Sequence, residues 1–156
     1  MKKQILTSLV LVLVGATSGA LLSGNTVRSA GLGDGQHVVV HLTEFTGDLH
    51  AAFMAFKLAD AMQVQDAKVT VLLDLESVRI ADARNPLAMR WGMGEATLAD
   101  VYEKFVQGGG SVVLCPHCAE AAGVSRDSLR AGAAIGVPEE QTIPKLLLQA
   151  DKILDY

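Results

Sequence analysis

The chain is 156 residues long, with a formal net charge of −4, 50% apolar residues and only 4% aromatics. That length fits one ordinary domain, and the apolar fraction excludes a disordered or low-complexity chain. No basic stripe or aromatic stacking platform is present, so nucleic acid is not an expected partner, and two cysteines cannot build a small disulfide scaffold.

Lys2 and Lys3 precede an apolar run from Ile5 to Leu22 that is interrupted only by small and hydroxyl residues. A basic start, an apolar middle and a polar stretch with small residues are the marks of a secretory signal. Residues 1–30 are therefore read as a signal peptide or an N-terminal anchor. Ser18-Gly19-Ala20 offers small residues for cleavage after Ala20, and Ala30 is a second option. The apolar run is also just long enough to anchor in a bilayer uncleaved. Cleavage is the preferred reading, which makes the expected location periplasmic or secreted, with membrane contact only through an uncleaved N-terminus. Losing Lys2, Lys3 and Arg28 leaves a more acidic remainder, unsuited to anionic lipid or nucleic acid. An oxidising periplasm also pairs accessible thiols.

His37-Val38-Val39-Val40-His41-Leu42 is a β-branched run with polar ends and reads as the first strand. Asp48 is placed to cap a helix over about Leu49 to Met62, whose Ala52, Phe53, Phe56, Ala59 and Met62 form one apolar stripe. Lys68 to Leu75 is a near-continuous apolar run, expected as a strand covered on both faces. Ser77 to Glu95, with Asn85-Pro86, Gly92 and Gly94, reads as a long excursion, part helix and part lid. Thr97 caps a helix to about Val106, which Gly108-Gly109-Gly110 stops. Ser111 to Cys115 is the third strand, and a short helix runs on from Pro116 to Ala122. Ser125 to Arg130 is a helical turn and Ala133 to Val137 a fourth strand. Pro144 to Ile153 is a C-terminal helix, and a fifth strand begins at Lys152. Strands alternating with helices imply right-handed crossovers around a parallel sheet. The expected fold is α/β, a three-layer sandwich with a mostly parallel central sheet, flavodoxin- or Rossmann-like in its layering.

Both cysteines lie in one motif, Cys115-Pro116-His117-Cys118, at the end of the third strand. In open α/β sheets, reactive groups collect beyond the carboxyl ends of the strands, where helix N-termini also point. Cys115 is expected at the N-cap, with Pro116 at the first helical position that proline favours. The helix dipole and a protonated His117 would both favour a thiolate at Cys115. Cys118, one turn on, is near enough to resolve a mixed disulfide or persulfide formed there. A closed zinc site normally takes four ligands, often two such pairs, so no metal or other cofactor is expected.

With these residues in view, the sequence resembles the DsrE/DsrF-like (YchN-like) sulfur-relay family. The likeness is carried by Val112-Val113-Leu114-Cys115-Pro116-His117-Cys118-Ala119-Glu120-Ala121-Ala122-Gly123-Val124, by Thr46-Gly47-Asp48-Leu49-His50, by residues 73–81 (LDLESVRIA) and by residues 146–154 (LLLQADKIL). It covers nearly all of residues 37–156, and implies one DsrE-like domain over residues 31–156. It also implies assembly into trimers or hexamers, and a persulfide carried at Cys115 for exchange with a donor or acceptor protein or a small sulfur compound. Ala122 stands where many relatives carry an anion-binding Arg. The same Cys-Pro-His-Cys also occurs in thioredoxin-fold thiol oxidants of the periplasm, there after the first core strand. That shared chemistry makes a thiol–disulfide oxidoreductase the second reading. A soft-metal or small-ligand module using Cys115, Cys118, His117 and Met93 is the third.

His50, at the start of the first helix, is expected on the same sheet edge as Cys115, where it would either orient a substrate or tune the thiolate, or stand as an ordinary first-turn surface histidine. His41 is the other histidine near that edge. Met89, Trp91 and Met93 in the excursion read as core or interface packing before pocket floor or metal ligands. Arg84 and Arg90 nearby read as solvated charges before contacts for an anionic sulfur substrate.

Overall fold

The computed structural model describes residues 30–156. Apart from Ala30, the leader expected over residues 1–30 lies outside the described residues. Five strands, β1 (His37–Leu42), β2 (Lys68–Leu73), β3 (Ser111–Leu114), β4 (Ala133–Ile135) and β5 (Lys152–Asp155), form one sheet in the order β4-β3-β2-β1-β5. Every neighbouring pair is parallel. Four helices accompany them: α1 (Leu49–Val64), α2 (Leu98–Gln107), α3 (Pro116–Ala121) and α4 (Thr142–Leu148). Among the described residues no helix is long and apolar enough to cross a membrane.

One face of the sheet carries α1 and α2. Asp48 starts α1 by accepting the Ala51 N–H at 2.9 Å, and the helix buries Ala52, Phe53, Ala55, Phe56 and Ala59. Thr97 and Asp100 start α2 with a reciprocal capping box, and that helix buries Leu98, Val101, Tyr102 and Phe105. Phe56 packs against Tyr102 and Phe105, with ring centroids 5.3 and 6.1 Å apart. Val38, Val40 and Leu42 of β1, and Val69, Val71 and Leu73 of β2, join the same core. At Gly110 a Cβ would overlap the Phe105 ring, so only glycine lets the chain turn from α2 into β3 this tightly. The alternate residues Val39, Thr70 and Leu72 are equally buried on the opposite face, as expected of a sheet covered on both sides. The connection containing α4 carries the chain from the β4 edge across to the β5 edge.

Several boundaries differ from those read in the sequence: β3 ends at Leu114 rather than Cys115, β4 at Ile135 rather than Val137, and α4 begins at Thr142 rather than Pro144. β2 stops at Leu73, because Asp74 leaves the ladder to cap a 3₁₀ segment over Leu75–Ala81 and shares a reciprocal capping box with Ser77. The last helix stops at Leu148 rather than Ile153. There His37 and Asp151 exchange hydrogen bonds of 2.7 and 2.8 Å, which turn the chain into β5 beside β1. The long excursion is tied down at its base, where Asp82 bridges to Leu129 and Arg130 donates to the carbonyl of Ile80 at 2.9 Å. Arg84 donates to Asp82 and to the Gly123 carbonyl, so this cation braces the excursion.

Candidate functional site

Parallel pairing in register lines up Leu42, Leu73 and Leu114 at the carboxyl ends of β1, β2 and β3. The residues that follow two of those strands, Asp74 and Cys115, therefore emerge side by side. The Cys115 N–H extends the ladder by donating to the Leu73 carbonyl at 2.9 Å. Cys115 is the N-cap of α3 with no side-chain capping bond, and Pro116 opens the helix, as the spacing of the motif led one to expect. One turn later, the Cys118 thiol donates to Asp74 Oδ1 at 2.8 Å. The reactive atoms of Asp74, Cys115 and Cys118 all lie within 4.8 Å of one another, and both cysteines are unpaired and half-buried.

Behind this cluster stands His41 at the end of β1. Its Nε2 is 3.6 Å from Asp74 Oδ2, and its Nδ1 is 2.8 Å from Asp155 Oδ1. The register that sets His41 opposite Asp155 on β5 explains the second pairing. The carboxylate of Asp74 thus has thiol donors on one side and an imidazole on the other.

The electrostatics separate the two partners of the 2.8 Å bond. Burial, then the hydrogen bonds to Asp74 and Cys115, push the Cys118 thiol up to about 12. Burial by itself would raise the Asp74 carboxyl, but the Cys118 thiol, the Leu75 N–H, Cys115 and His41 together hold it below the usual carboxylate range. At neutral pH the pair is therefore a protonated Cys118 thiol held against an ionised Asp74.

The two cysteines border different hollows. Cys115 and His117 line a cavity of about 320 Å³ shared with Val137, Pro138 and Ile143. Cys118 lines one of about 240 Å³ with Glu76 and Arg79. Arg79 Nη1 also reaches the Ala122 carbonyl at 3.5 Å. A cation thus stands beside Ala122 after all, supplied by the 3₁₀ segment rather than by α3.

Of the residues singled out in the sequence, Cys115 and Cys118 come together. His117 stands exposed on the first turn of α3 beside Cys115. His50, on the first turn of α1, stacks on Trp91 with ring centroids 3.7 Å apart and planes within 4°. Neither histidine belongs to the group of donors within 4.8 Å. Asp74 is the residue that sequence reasoning missed as a member of the site. The available signal was its place directly after β2, next to the strand that delivers the motif. Asp74, Cys115 and Cys118 offer one oxygen and two sulfurs, one donor short of a closed tetrahedral zinc site. Met93 is fully exposed at 103%.

No family model and no curated protein matches the sequence. Solved structures do match. The ychN protein from E. coli superposes with a TM-score of 0.61 at 24% identity, over 78% of this chain and 98% of that one. A protein of unknown function, MTH1491 from Methanobacterium thermoautotrophicum, gives 0.57 at 14% identity over 78% and 99% of the two chains. BT1422 from Bacteroides thetaiotaomicron, also of unknown function, gives 0.54 at 15% identity over 78% and 95%. The chain therefore shares the α/β fold of these proteins, which for ychN is the DsrE/DsrF-like fold that the sequence resembles.

Proposed function

We propose that the chain carries or exchanges sulfur at Cys115, with Cys118 as the resolving thiol and Asp74 as the hydrogen-bond acceptor that positions it. The observation that carries this reading is the Cys118–Asp74 hydrogen bond of 2.8 Å, with Cys115 inside the same 4.8 Å cluster. A Cys115 thiolate attacks the outer sulfur of a persulfide or polysulfide. The donor's S–S bond breaks, its shortened thiolate leaves with the electron pair, and a new S–S bond forms at Cys115. An acceptor thiolate then takes the outer sulfur and regenerates Cys115. In the other branch the Cys118 sulfur attacks the inner sulfur, which closes a Cys115–Cys118 disulfide, and its proton leaves with the outer sulfur as hydrogen sulfide. His50 and His117 are proposed as residues that orient the incoming substrate. An exported chain working as a homo-oligomer completes the reading.

The test is mass spectrometry of the reduced protein after excess polysulfide. Expected is an adduct of about 32 Da, one added sulfur, on Cys115 and absent from Cys115→Ser. Sulfur uptake by Cys115→Ser equal to that of the parent chain would overturn the assignment. A second reading, exchange of disulfides with other proteins, is favoured by two unpaired thiols one helical turn apart. Catalysed reduction of insulin without any sulfur adduct would favour it over the first.

A further inference from the structure

We infer that the substrate of Cys115 is an uncharged organic persulfide or thiol with an apolar arm, rather than an anionic sulfur compound. The inference rests on the sulfur-carrying reading and adds the class of substrate. Among the described residues, the cavity of about 320 Å³ beside Cys115 holds no Asp, Glu, Lys or Arg in its wall. Pro116, Pro138 and Pro144 lack backbone N–H groups, and Val137 and Ile143 add only apolar surface. Thr142 is the wall's hydroxyl, and it is already engaged: it accepts the Val137 N–H at 3.0 Å and reaches the Val137 carbonyl at 3.2 Å. The wall's other polar side chains, His117 and Gln141, are exposed to solvent, so an anion passing deeper than them would exchange water for surface with few donors, which is unfavourable, whereas an alkyl arm gains from burial. Arg79 and Glu76 line the other hollow, on the Cys118 side.

The chemistry that follows is balanced without a further reagent. The Cys115 thiolate attacks the outer sulfur of R–S–SH; the donor's S–S bond breaks, R–S⁻ leaves with the electron pair, and Cys115 holds the persulfide. The apolar R group occupies the proline-lined space during attack.

The full chain, reduced and with Cys118→Ser to restrict reaction to one sulfur, is treated with three methanethiosulfonates. One carries a neutral propyl group, one a sulfonatoethyl anion and one a trimethylammonioethyl cation. In each, the thiolate forms a mixed disulfide and methanesulfinate leaves. Rates are read by mass spectrometry and referred to a short cysteine peptide. Expected is a propyl-over-sulfonate preference about tenfold above that of the peptide, from burial of a few methylene groups. Ile143→Lys, or Pro138→Lys should Ile143→Lys misfold, returns the ratio toward the peptide value, and Ile143→Leu keeps it. A peptide-like ratio, or faster reaction with the anion, overturns the inference. A peptide-like ratio alongside a normal polysulfide adduct sinks only the substrate class. Apolar selectivity without any sulfur adduct sinks the sulfur-carrying reading and leaves the cavity as a site for apolar thiol reagents.

Discussion

The α1–α2 face and the α4–β5 end are built to different standards. The first encloses Phe53, Phe56, Phe105 and Tyr102 at 2% exposure or less. The second has no fully buried residue in α4 or β5, and leaves Leu148 87% and Ile153 44% exposed. The cysteines sit between the two: β2 and β3 supply rigid backbone from the packed side, and α4 lends Thr142, Ile143 and Pro144 to the cavity from the thin side. Stability is concentrated away from the cysteines, and the cavity beside Cys115 takes part of its wall from the less constrained part. This is the usual division between scaffold and site.

That contrast can be broken or sharpened by mutation. Cys115→Ser should abolish sulfur uptake completely in the polysulfide experiment while leaving the denaturation midpoint close to that of the parent. Phe56→Ala, deep in the packed face, should cost about 3–5 kcal/mol in urea unfolding, since both a transfer loss and a cavity follow. If it cost no more than a surface change, the packed face would not be the seat of stability. Asp82→Asn probes the brace under the excursion. The Arg84 hydrogen bonds hold the Asp82 carboxyl below its ordinary value of 3.8. A depressed carboxyl contributes stability that is present above that ordinary value and is lost as pH falls through the lower folded one. The variant should therefore be less stable at neutral pH by about 1–3 kcal/mol, with a shallower fall in stability on acidification below pH 4 (about the ordinary carboxyl value).

Asp74→Asn acts on the site with a smaller effect on the fold. Removing the carboxylate charge takes away part of what raises Cys118, so its thiol should titrate below about 12 while the share due to burial persists. Thiolate absorbance against pH, compared in a Cys115→Ser background with and without the change, reads this directly. An unchanged titration would mean that Asp74 does not hold the proton on Cys118. Leu148→Ala, on the thin side, should shift stability by no more than about 0.5 kcal/mol. A larger loss would mean that α4 contributes more to the fold than its exposure indicates.

Much of this arrangement is legible in the residues themselves. β1 runs over His37–Leu42 as its β-branched pattern predicts, Asp48 and Thr97 cap the helices expected of them, and Cys115 takes the N-cap with Pro116 following. These features are local, encoded by periodicity and capping chemistry within a few residues. The placing of Asp74 against Cys118 is not local, for 44 residues separate them and only strand register joins them. The early end of β2 escaped for a related reason: in a run as apolar as residues 68–75, nothing marks Asp74 as a cap until its partner Ser77 is in view. The stacking of His50 on Trp91 joins a helix start to an irregular segment with no periodicity to announce it.

The pairing of His41 with Asp155 spans 114 residues, and this has a bearing on the order of assembly. During synthesis β1 is made early, yet its outer neighbour is the last strand of the sheet to be made. Until residue 155 has been made, one flank of β1 is an open edge and His41 lacks the second of its two carboxylate partners. Long-range parallel pairing of this kind also slows folding. The cysteines emerge from the ribosome before the strand that completes the framework behind them, so a nascent chain presents both thiols to its surroundings ahead of the finished site.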